Sequence, residues 1–403
     1  MSEADYTDWG VVSSGEGGGR IASTFLSREE SPGIGERVTL LNTNRSDMVN
    51  LMEDADILEE YGEHITIFGP RRGVGNDFAK GERMAEEHFE EIYNAVTERM
   101  VGADALLHVT TLGGGTGNGS IPYLIEQLST GSNVEGTRPE WVESAVNMAF
   151  AAWPYEHEPS QQQFNAVMGL SRLLMRRDVT QNADAVLLAS NTHIENEDLS
   201  TDQYDAVNER IVTAIDLLIG AGRNAERIID AEDYIAQPSN IGVYHFTPGV
   251  ATDLHYDMLD YEIMFDRAAE QSFVPMDAST SRAAFAVVRA PAHLVESGEV
   301  TKSGVENAFG RWKRDKGISS AKGLSTVTLK PGRGNNVDVL LLLGGFDLNP
   351  LLDQSWPEYE ETKRQFEQAR KLQNDSETAI SMNEIEQLEE NLTRYLEVNG
   401  SGR

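Results

Sequence analysis

The sequence predicts an α/β protein in which residues 1–200 form a parallel, doubly wound sheet. Short apolar runs, each typical of a buried strand, alternate in this part of the chain with stretches whose apolar residues recur at helical spacing. Strands that alternate with helices in this way pair in parallel and carry helices on both faces of the sheet. Several runs end in glycine-rich or asparagine-rich turns, and ligands of such sheets bind at the carboxyl ends of the strands.

The composition is strongly acidic and poor in lysine. The 403 residues include 66 Asp and Glu against 33 Lys and Arg, which makes a formal net charge of −33, and Lys80 is the only lysine before residue 302. Because the positive charge that neutralises phosphates is scarce, we expect no binding to nucleic acid. The scarcity of lysine favours a halophilic cytoplasm, where molar salt screens charges within about 3 Å. An acidic protein of an ordinary cytoplasm is the alternative.

Several classes of protein are excluded by what the sequence lacks. There is no cysteine, so disulfides, thiolate metal sites and cysteine nucleophiles are absent. No apolar stretch approaches the ~20 residues of a membrane span, and the residues after Met1 do not have the character of a signal peptide. We therefore expect a cytoplasmic protein without direct membrane insertion.

The predicted strands and helices of the first domain alternate regularly. The strands are six apolar runs, at Trp9–Ser14, Arg37–Leu41, His64–Phe68, Ala105–Val109, Val146–Pro154 and Ala185–Asn191. Apolar residues at helical spacing mark helices around Ile21–Phe25, Met84–Val96, Ile121–Leu128 and Phe164–Leu174. The turns that follow these strands then lie on one edge of the sheet, which makes that edge the candidate binding site.

The most informative stretch is the turn Thr110–Ser120, which follows the fourth strand. Its five glycines within seven residues leave backbone N–H groups accessible, because no β-carbon shields them. The helix after it presents free first-turn N–H groups and the positive end of its dipole. Together these features predict a phosphate-binding loop. A flexible glycine-rich loop is the alternative.

A second glycine-rich turn, Gly15–Arg20, joins the first strand to its helix. It is similar to the dinucleotide fingerprint G-x-G-x-x-G, but Arg20 replaces the last glycine. The second strand ends at Asn42, where an NAD site would have an acidic residue to hold the ribose. Arg20 and Asn42 therefore argue against an NAD-linked enzyme. No P-loop motif with its lysine occurs in the chain.

The chain continues with one long helix, predicted over Tyr204–Gly222, and then with a second, smaller α/β domain. After the acidic segment Asp230–Asp233, this domain is predicted to contain strands at Ile241–Phe246, Ala284–Val288, Leu324–Leu329 and Val337–Leu343, and helices at Tyr261–Ala269 and 302–314. The last two strands are predicted to pair with each other.

The final segment is predicted to be a helical tail. Ser355 and Ser381 are each followed three residues later by glutamate, a spacing typical of the capping box that begins a helix. We expect the tail helices to dock on the body of the protein. An arm that binds a partner protein is the alternative.

The glycine-rich turn resembles a known signature. Leu112–Gly119, with the sequence LGGGTGNG, is similar to the GGGTGSG motif of the tubulin/FtsZ superfamily, and the similarity continues in order over most of residues 8–350. The chain resembles archaeal FtsZ-like and CetZ-like members more than eukaryotic tubulin. The resemblance implies a GTP-binding domain at residues 1–200, a central connecting helix at 201–228, a C-terminal domain at 229–350 and a helical tail at 351–403.

The resemblance also implies a set of nucleotide contacts. Gly73–Gly81 corresponds to the loop that faces the γ-phosphate, Glu158 to the glutamate that holds the ribose, and Asn191 to the asparagine that reads guanine. Tyr204 and Asn208, four residues apart on one helix face, correspond to the pair that stacks on guanine and reads its edge. For Tyr204, core packing is the alternative. The implied nucleotide-binding residues are Gly15, Glu16, Gly17, Gly18, Arg20, Asn42, Gly75, Asn76, Gly113, Gly114, Gly115, Thr116, Gly117, Asn118, Glu158, Asn191, Tyr204 and Asn208.

In this family, two subunits complete the hydrolytic site. The loop after the long helix carries two carboxylates into the nucleotide site of the next subunit, and Asp230 and Asp233 match their spacing. Capping of a helix is the alternative. The resemblance thus implies an assembly-dependent GTPase that forms head-to-tail filaments, takes GTP or GDP with Mg²⁺, which Asp77 contacts indirectly, and acts in cell division or cell shape. The alternative is a paralogue that binds nucleotide without hydrolysing it and acts as a regulatory or interaction protein.

Overall fold

The computed structural model describes residues 6–28, 33–49, 51, 57–134, 136–194, 203–223, 228–258, 260–330, 332, 334–372 and 380–400. The chain divides into two compact units. The six-strand unit comprises Trp9–Val186, Ser190–Thr192 and Leu348–Arg403, and the four-strand unit comprises Met1–Asp8, Leu187–Ala189 and His193–Asp347. The C-terminal segment therefore belongs to the same unit as the N-terminal strands.

The six-strand unit is built on a parallel sheet of β1 (Trp9–Ser14), β2 (Val38–Asn42), β3 (Ile65–Ile67), β4 (Ala105–Thr111), β5 (Val146–Trp153) and β6 (Ala185–Ser190), of which only the middle residues Leu187–Ala189 are grouped with the other unit. The strand order is β3-β2-β1-β4-β5-β6, and neighbours from β3 to β5 are parallel. The chain thus starts in the middle of the sheet and builds outward in both directions. The carboxyl ends of β1 and β4 flank the point where the order reverses, which is where doubly wound sheets bind ligands.

The helices are numbered along the whole chain. Those before the long helix are α1 (Gly15–Ser23), α2 (Arg45–Val49), α3 (Ile57–Glu60), α4 (Phe78–Glu87), α5 (Phe89–Arg99), α6 (Thr116–Thr130), α7 (Glu140–Ser144), α8 (Ser160–Leu174) and α9 (Asn191–Ile194). The others are α10 (Gln203–Gly220), α11 (Ala231–Ser239), α12 (Tyr261–Glu270), α13 (Ala292–Glu296), α14 (Lys302–Asp315), α15 (Asn349–Leu352), α16 (Trp356–Leu372) and α17 (Met382–Val398). Short 3₁₀ helices lie at Gly62–His64, Tyr256–Met258 and Ala278–Thr280.

Two of the predicted helices differ from the observed ones. The helix expected to begin at Ile21 begins at Gly15, so the second glycine turn forms its first turn. The helix expected over Met84–Val96 is two helices, because the backbone leaves the helical region at His88 (φ −114°, ψ 23°). The apolar stripe continues across this break, since Ala85, Phe89 and Ile92 enter one core with residues of β4 and α6.

The four-strand unit contains β7 (His245–His255), β8 (Ala283–Pro291), β9 (Ser325–Lys330) and β10 (Asn336–Gly344) in the order β7-β10-β8-β9. The prediction that the last two strands pair with each other is wrong, because β8 separates them: β10 is antiparallel to β7 and β8, and β9 is parallel to β8. The physical reason is burial. Val337–Leu343 is buried on both faces and occupies a central position, whereas β9 exposes Leu329 and lies at the edge.

The α/β fold class is confirmed, with a parallel doubly wound sheet, the long helix α10, a smaller α/β unit and helices at the C-terminus. The strand predicted at Ile241–Phe246 is displaced the most: β7 begins at His245 and ends at His255, since Ile241 and Gly242 lie in a turn after α11. No helix within the described ranges has both the length and the apolar character needed to cross a membrane.

Candidate functional site

Two glycine turns meet where the strand order of the six-strand sheet reverses. A β-carbon on Gly117 would overlap the carbonyl oxygen of Ser14, the last residue of β1. A β-carbon on Gly15, whose φ is +80°, would lie 3.1 Å from the backbone nitrogen of Gly117. The two turns therefore approach each other at a backbone distance that only glycine permits.

Two hydroxyl pairs join the carboxyl ends of β1 and β2 to the start of α6 at this point. The Oγ atoms of Ser14 and Ser120 are 2.7 Å apart, and the Oγ1 atoms of Thr43 and Thr116 are 2.6 Å apart. Helices α1 and α6 both begin here, at Gly15 and Thr116. Two sets of free first-turn N–H groups and two positive dipole ends therefore converge, which is the arrangement that binds anions.

The loop after β3 closes the site beside the first turn of α6. A β-carbon on Gly115 would lie 2.7 Å from the backbone nitrogen of Asp77. Gly75 and Asn76 are exposed and have left-handed backbones, with φ of +67° and +59°. The Asp77 carboxylate then caps α4 by accepting a hydrogen bond from the Lys80 N–H at 3.0 Å. We refer to the sheet edge that this loop and the glycine turn border as the cleft.

Asn165 on α8 is a site residue that reading the sequence missed. It is fully buried, and its side-chain Nδ2 donates to the carbonyl oxygens of Asn76 at 2.7 Å and Gly113 at 3.0 Å. It therefore ties the loop after β3 to the glycine turn. No local pattern marks this asparagine, because the carbonyl oxygens that its Nδ2 binds lie 51 or more residues away.

Two predicted contact residues use their side chains within the protein. The amide of Asn118 is buried and donates to the carbonyl oxygens of Leu112 and Asn165, each at 2.8 Å. Asn42 is fully buried, and its Oδ1 accepts a hydrogen bond from the Asn44 N–H at 3.0 Å. Both side chains shape the loops, so a ligand would meet these residues through their backbones.

Charged groups also lie beside the two converging helix N-termini, which we call the phosphate-type cradle because such an arrangement binds anions. Glu16, in the first turn of α1, forms an ion pair with Arg20 at 3.0 Å, and both side chains are partly exposed. The pKa of Asp47 is raised, by burial first and then by the negative charge of Glu16. Arg20 thus adds a positive charge next to the helix N-terminus, and Glu16 partly neutralises it. Gly17 and Gly18 in the same turn pack against Thr111 and the Val109 carbonyl.

The loop 154–159 after β5 borders the same glycine turn. A β-carbon on Gly113 would lie 3.2 Å from the Cβ of Pro154 and 3.0 Å from the Oε1 of Gln162. The carboxylate of Glu158 accepts a hydrogen bond from the Tyr155 N–H at 3.0 Å. Glu158 is therefore held within its own loop, at the edge of the cleft.

The loop after β6 is bonded to loop 154–159. The backbone N–H of Glu156 donates to the Oγ1 of Thr192 at 3.0 Å. Asn191, which precedes Thr192 at the start of α9, is 8% exposed. The six-strand unit thus brings the predicted residues of β1, β2, β4, β5 and β6, and of the loop after β3, to one edge.

The remaining predicted residues lie in the four-strand unit. Asn208 is half-buried on α10, and the side chain of Tyr204 lies outside the described residues. The Oδ1 of Asp230 accepts from the Asp233 N–H at 2.9 Å, and the Oδ2 of Asp233 accepts from the Asp230 N–H at 3.3 Å, which makes a reciprocal capping box on α11. The capping role is therefore present, and the catalytic role stays a prediction.

The described residues contain no cluster of three or more His, Asp or Glu side chains placed to hold a metal ion.

Comparison with known proteins agrees with this geometry. Residues 10–197 match the model of the Tubulin/FtsZ family, GTPase domain. The chain is 26% identical over 350 residues to the tubulin-like protein CetZ2 of Haloferax volcanii, which covers 84% of this chain and 88% of that protein.

Solved structures share the fold. The GDP-bound monomer of CetZ1 from Haloferax volcanii superposes with a TM-score of 0.69 at 21% identity, over 89% of this chain and 100% of that one. The GTPγS-bound protofilament of CetZ2 from the same organism superposes with a TM-score of 0.65 at 23% identity, over 88% and 99%. Residues 10–197 of this chain are therefore similar to the GTPase domain of the tubulin/FtsZ family, and the chain is similar over most of its length to CetZ proteins of Haloferax volcanii.

Proposed function

We propose that this protein binds GTP and GDP and assembles head-to-tail into cytoskeletal filaments that hydrolyse GTP. The proposal rests on the N-termini of α1 and α6, which lie side by side. Their glycine turns approach so closely that a β-carbon on Gly117 would overlap the carbonyl oxygen of Ser14. Such a cradle holds phosphates through N–H groups and needs no lysine. CetZ1 of Haloferax volcanii was solved with GDP and CetZ2 as a GTPγS-bound protofilament, which supports a guanine nucleotide as ligand and a filament as assembly.

The nucleoside would occupy the side of the cleft next to β5 and β6. We assign the ribose to Glu158 and the guanine base to Asn191, together with Tyr204 and Asn208. An asparagine amide offers one acceptor and two donors, which suits the polar edge of guanine. Mg²⁺ would accompany the triphosphate and neutralise its charge, with Asp77 in indirect contact.

Hydrolysis would be completed by Asp230 and Asp233 of the next subunit. Their capping box fixes both carboxylates at the start of α11, and phosphoryl transfer requires mainly the placement of water and the stabilisation of charge. A head-to-tail contact of this kind repeats without closing and forms a filament. We place the filament in cell division or cell shape, in the cytoplasm.

The test compares two aspartates that cap helices in the same unit. In molar KCl, GTP hydrolysis per subunit should rise with protein concentration, because the site is complete only in the filament. Asp230→Ala should sediment with GTP as the parent does but hydrolyse it at least about tenfold more slowly. Asp260 caps α12, since its Oδ1 accepts a hydrogen bond from the Ile263 N–H at 2.9 Å. Asp260→Ala removes this cap and should leave hydrolysis unchanged.

A rate per subunit that is constant across the assembly range would contradict completion of the site between subunits. Equal turnover in the Asp230→Ala variant and the parent would remove this residue from the mechanism.

A nucleotide-binding protein without hydrolysis is the second candidate. It is favoured by the engagement of both Asp230 and Asp233 in a helix cap. Calorimetry with GTP and a phosphate-release assay distinguish the two functions. Heat of binding without phosphate release at any protein concentration would support the second candidate, in which the protein acts as a regulatory or interaction protein.

A further inference from the structure

The C-terminal segment is bonded to the ends of the two strands that carry the nucleoside loops. Ser355, between α15 and α16, is fully buried. Its Oγ accepts from the Nε1–H of Trp153, the last residue of β5, at 2.8 Å. The neighbouring Gln354 accepts a hydrogen bond from the hydroxyl of Ser190, the last residue of β6, at 3.2 Å. One dipeptide of the tail thus meets both strands where the loops with Glu158 and Asn191 begin.

Gln163 on α8 continues this connection into loop 154–159. The Ser355 hydroxyl donates to its Oε1, and its Nε2 donates to the carbonyl oxygen of Tyr155 at 2.5 Å. Gln163 is 1% exposed, so both ends of its amide rely on these partners. An unbroken series of hydrogen bonds therefore runs from the indole of Trp153 through Ser355 and Gln163 to the backbone of the loop.

A serine hydroxyl suits the middle of this series because it carries one donor and two acceptor sites. It satisfies an indole N–H and an amide oxygen at once, and both would be buried without a partner if it were removed. Its position is held by packing, since Tyr359 on α16 is fully buried and stacks on Phe164 of α8 with ring centroids 5.4 Å apart. The hydroxyl that the sequence assigned to a helix cap points into the core instead.

Loop 154–159 depends on this support at the point where it meets the cleft. Its Pro154 lies against the glycine turn, and its Glu156 N–H is bonded to Thr192, next to Asn191. A change in the backbone at Tyr155 would move Glu158 directly, because the carboxylate of Glu158 accepts from the Tyr155 N–H.

We propose that Ser355 and Gln163 are positioning residues for loop 154–159, so that the C-terminal segment contributes to nucleotide affinity and to selectivity for the ribose hydroxyls. The proposal rests on the proposed function, because it takes Glu158 as the ribose-holding residue. It assigns to the tail a part in the nucleotide site that no local motif indicates.

The experiment measures the affinities of GTP and 2′,3′-dideoxyGTP by calorimetry for each variant, together with its unfolding midpoint. Ser355→Ala and Gln163→Met should weaken GTP binding about tenfold, the effect of losing one buried hydrogen-bonding partner. The affinity for the dideoxy nucleotide should change by less than about threefold, because it lacks the hydroxyls that Glu158 would hold. The preference for GTP therefore falls, and Ser355→Thr, which keeps a hydroxyl, should restore it.

Thr362→Val is the matched control. Thr362 is a buried hydroxyl residue on α16, and its Oγ1 has no hydrogen-bond partner among the described residues. Its replacement should leave both affinities unchanged.

The outcomes separate this proposal from the proposed function. A parent protein that binds neither nucleotide would overturn both. A parent that prefers GTP, with the same preference in Ser355→Ala and Gln163→Met, would overturn the positioning role alone. Equal weakening of GTP and 2′,3′-dideoxyGTP binding would also overturn the positioning role. A general loss of stability lowers both affinities, whereas the loss of loop positioning lowers only the affinity for GTP.

Discussion

Gly117 shows how one side chain decides whether the phosphate-type cradle can exist. The turn after β4 and the end of β1 meet at this residue, where a β-carbon would overlap the carbonyl oxygen of Ser14 and lie 2.5 Å from the Oγ1 of Thr110. The Ser14 oxygen belongs to the backbone of β1, so it cannot move away without distorting the sheet. The cradle therefore depends on a hydrogen atom at this position.

Gly117→Ala should reduce the free energy of unfolding by about 2 kcal/mol and abolish GTP binding. The matched control is Gly62→Ala in the same unit, because no described atom lies within 4 Å of its added β-carbon, and it should change stability by less than about 0.5 kcal/mol. Urea unfolding and calorimetry measure the two effects. If Gly117→Ala matched the control in both measurements, the close approach of the two turns would be unnecessary for stability and for GTP binding.

At the scale of elements, a partly buried network of ion pairs joins α4 to α8 and to the C-terminal helix α17. The Oε1 of Glu82 on α4 accepts from Arg172 and Arg177, each at 2.8 Å, and Arg177 also bonds to Glu384 of α17 at 2.8 Å. Burial raises the pKa of Glu82, but Arg172 and then Arg177 outweigh it, so the net pKa lies below the ordinary value. The ionised carboxylate is thus the stable form.

The same chemical change in two members of this cluster should have unequal effects. Glu82→Gln leaves Arg172, which is 2% exposed, without its main charge partner, and should lower the free energy of unfolding by about 3 kcal/mol. Glu384→Gln affects a carboxylate that is 31% exposed, where water screens the pair, and should cost less than about 1 kcal/mol. Urea unfolding at pH 7 compares them. A Glu384→Gln variant as unstable as Glu82→Gln would show that burial does not set the strength of this network.

At the scale of the whole molecule, each unit contains one fully buried histidine that remains neutral. In the six-strand unit, the Nε2 of His108 lies 2.9 Å from the Oδ1 of Asn147. In the four-strand unit, the Nε2 of His245 lies 2.9 Å from the carbonyl oxygen of Phe346. Burial lowers the pKa of each from 6.5 to about 4. Protonation in the folded state is therefore unfavourable in both units.

Acid should destabilise the protein through these two groups. Between pH 6.5 and about 4, the unfolded chain binds protons that the folded chain does not, so stability is complete above pH 6.5 and is lost as the pH falls through this interval, by about 3 kcal/mol for each histidine. His108→Gln should flatten the dependence on pH of the six-strand unit. His88→Gln, which replaces a side chain that is 38% exposed, should not. Urea unfolding from pH 4 to 8 would contradict this account if the parent and His108→Gln had parallel profiles.

The sequence by itself determined the features whose signal lies within a few residues. The strand-to-helix junctions after β1 and β4 occur at the glycine-rich stretches that predict them, although α1 begins at Gly15 and not at Ile21. The order of strands and helices predicts the parallel sheet. Ser381 caps α17, with its Oγ accepting from the Glu384 N–H at 3.2 Å, as the capping box predicts. In each case the sterics of one turn or the periodicity of one element produces the structure, so a local pattern is sufficient.

Only the tertiary structure decided which distant groups meet. Ser355 carries the same capping pattern as Ser381, yet its hydroxyl bonds to Trp153, 202 residues away, and Asn165 ties together loops that no pattern relates to it. The position of β10 between β7 and β8 was equally hidden, because a mostly apolar strand can pair with several other strands and its sequence does not specify which. The physical reason is that a buried polar group must find a partner, while the choice among possible partners depends on how whole elements pack.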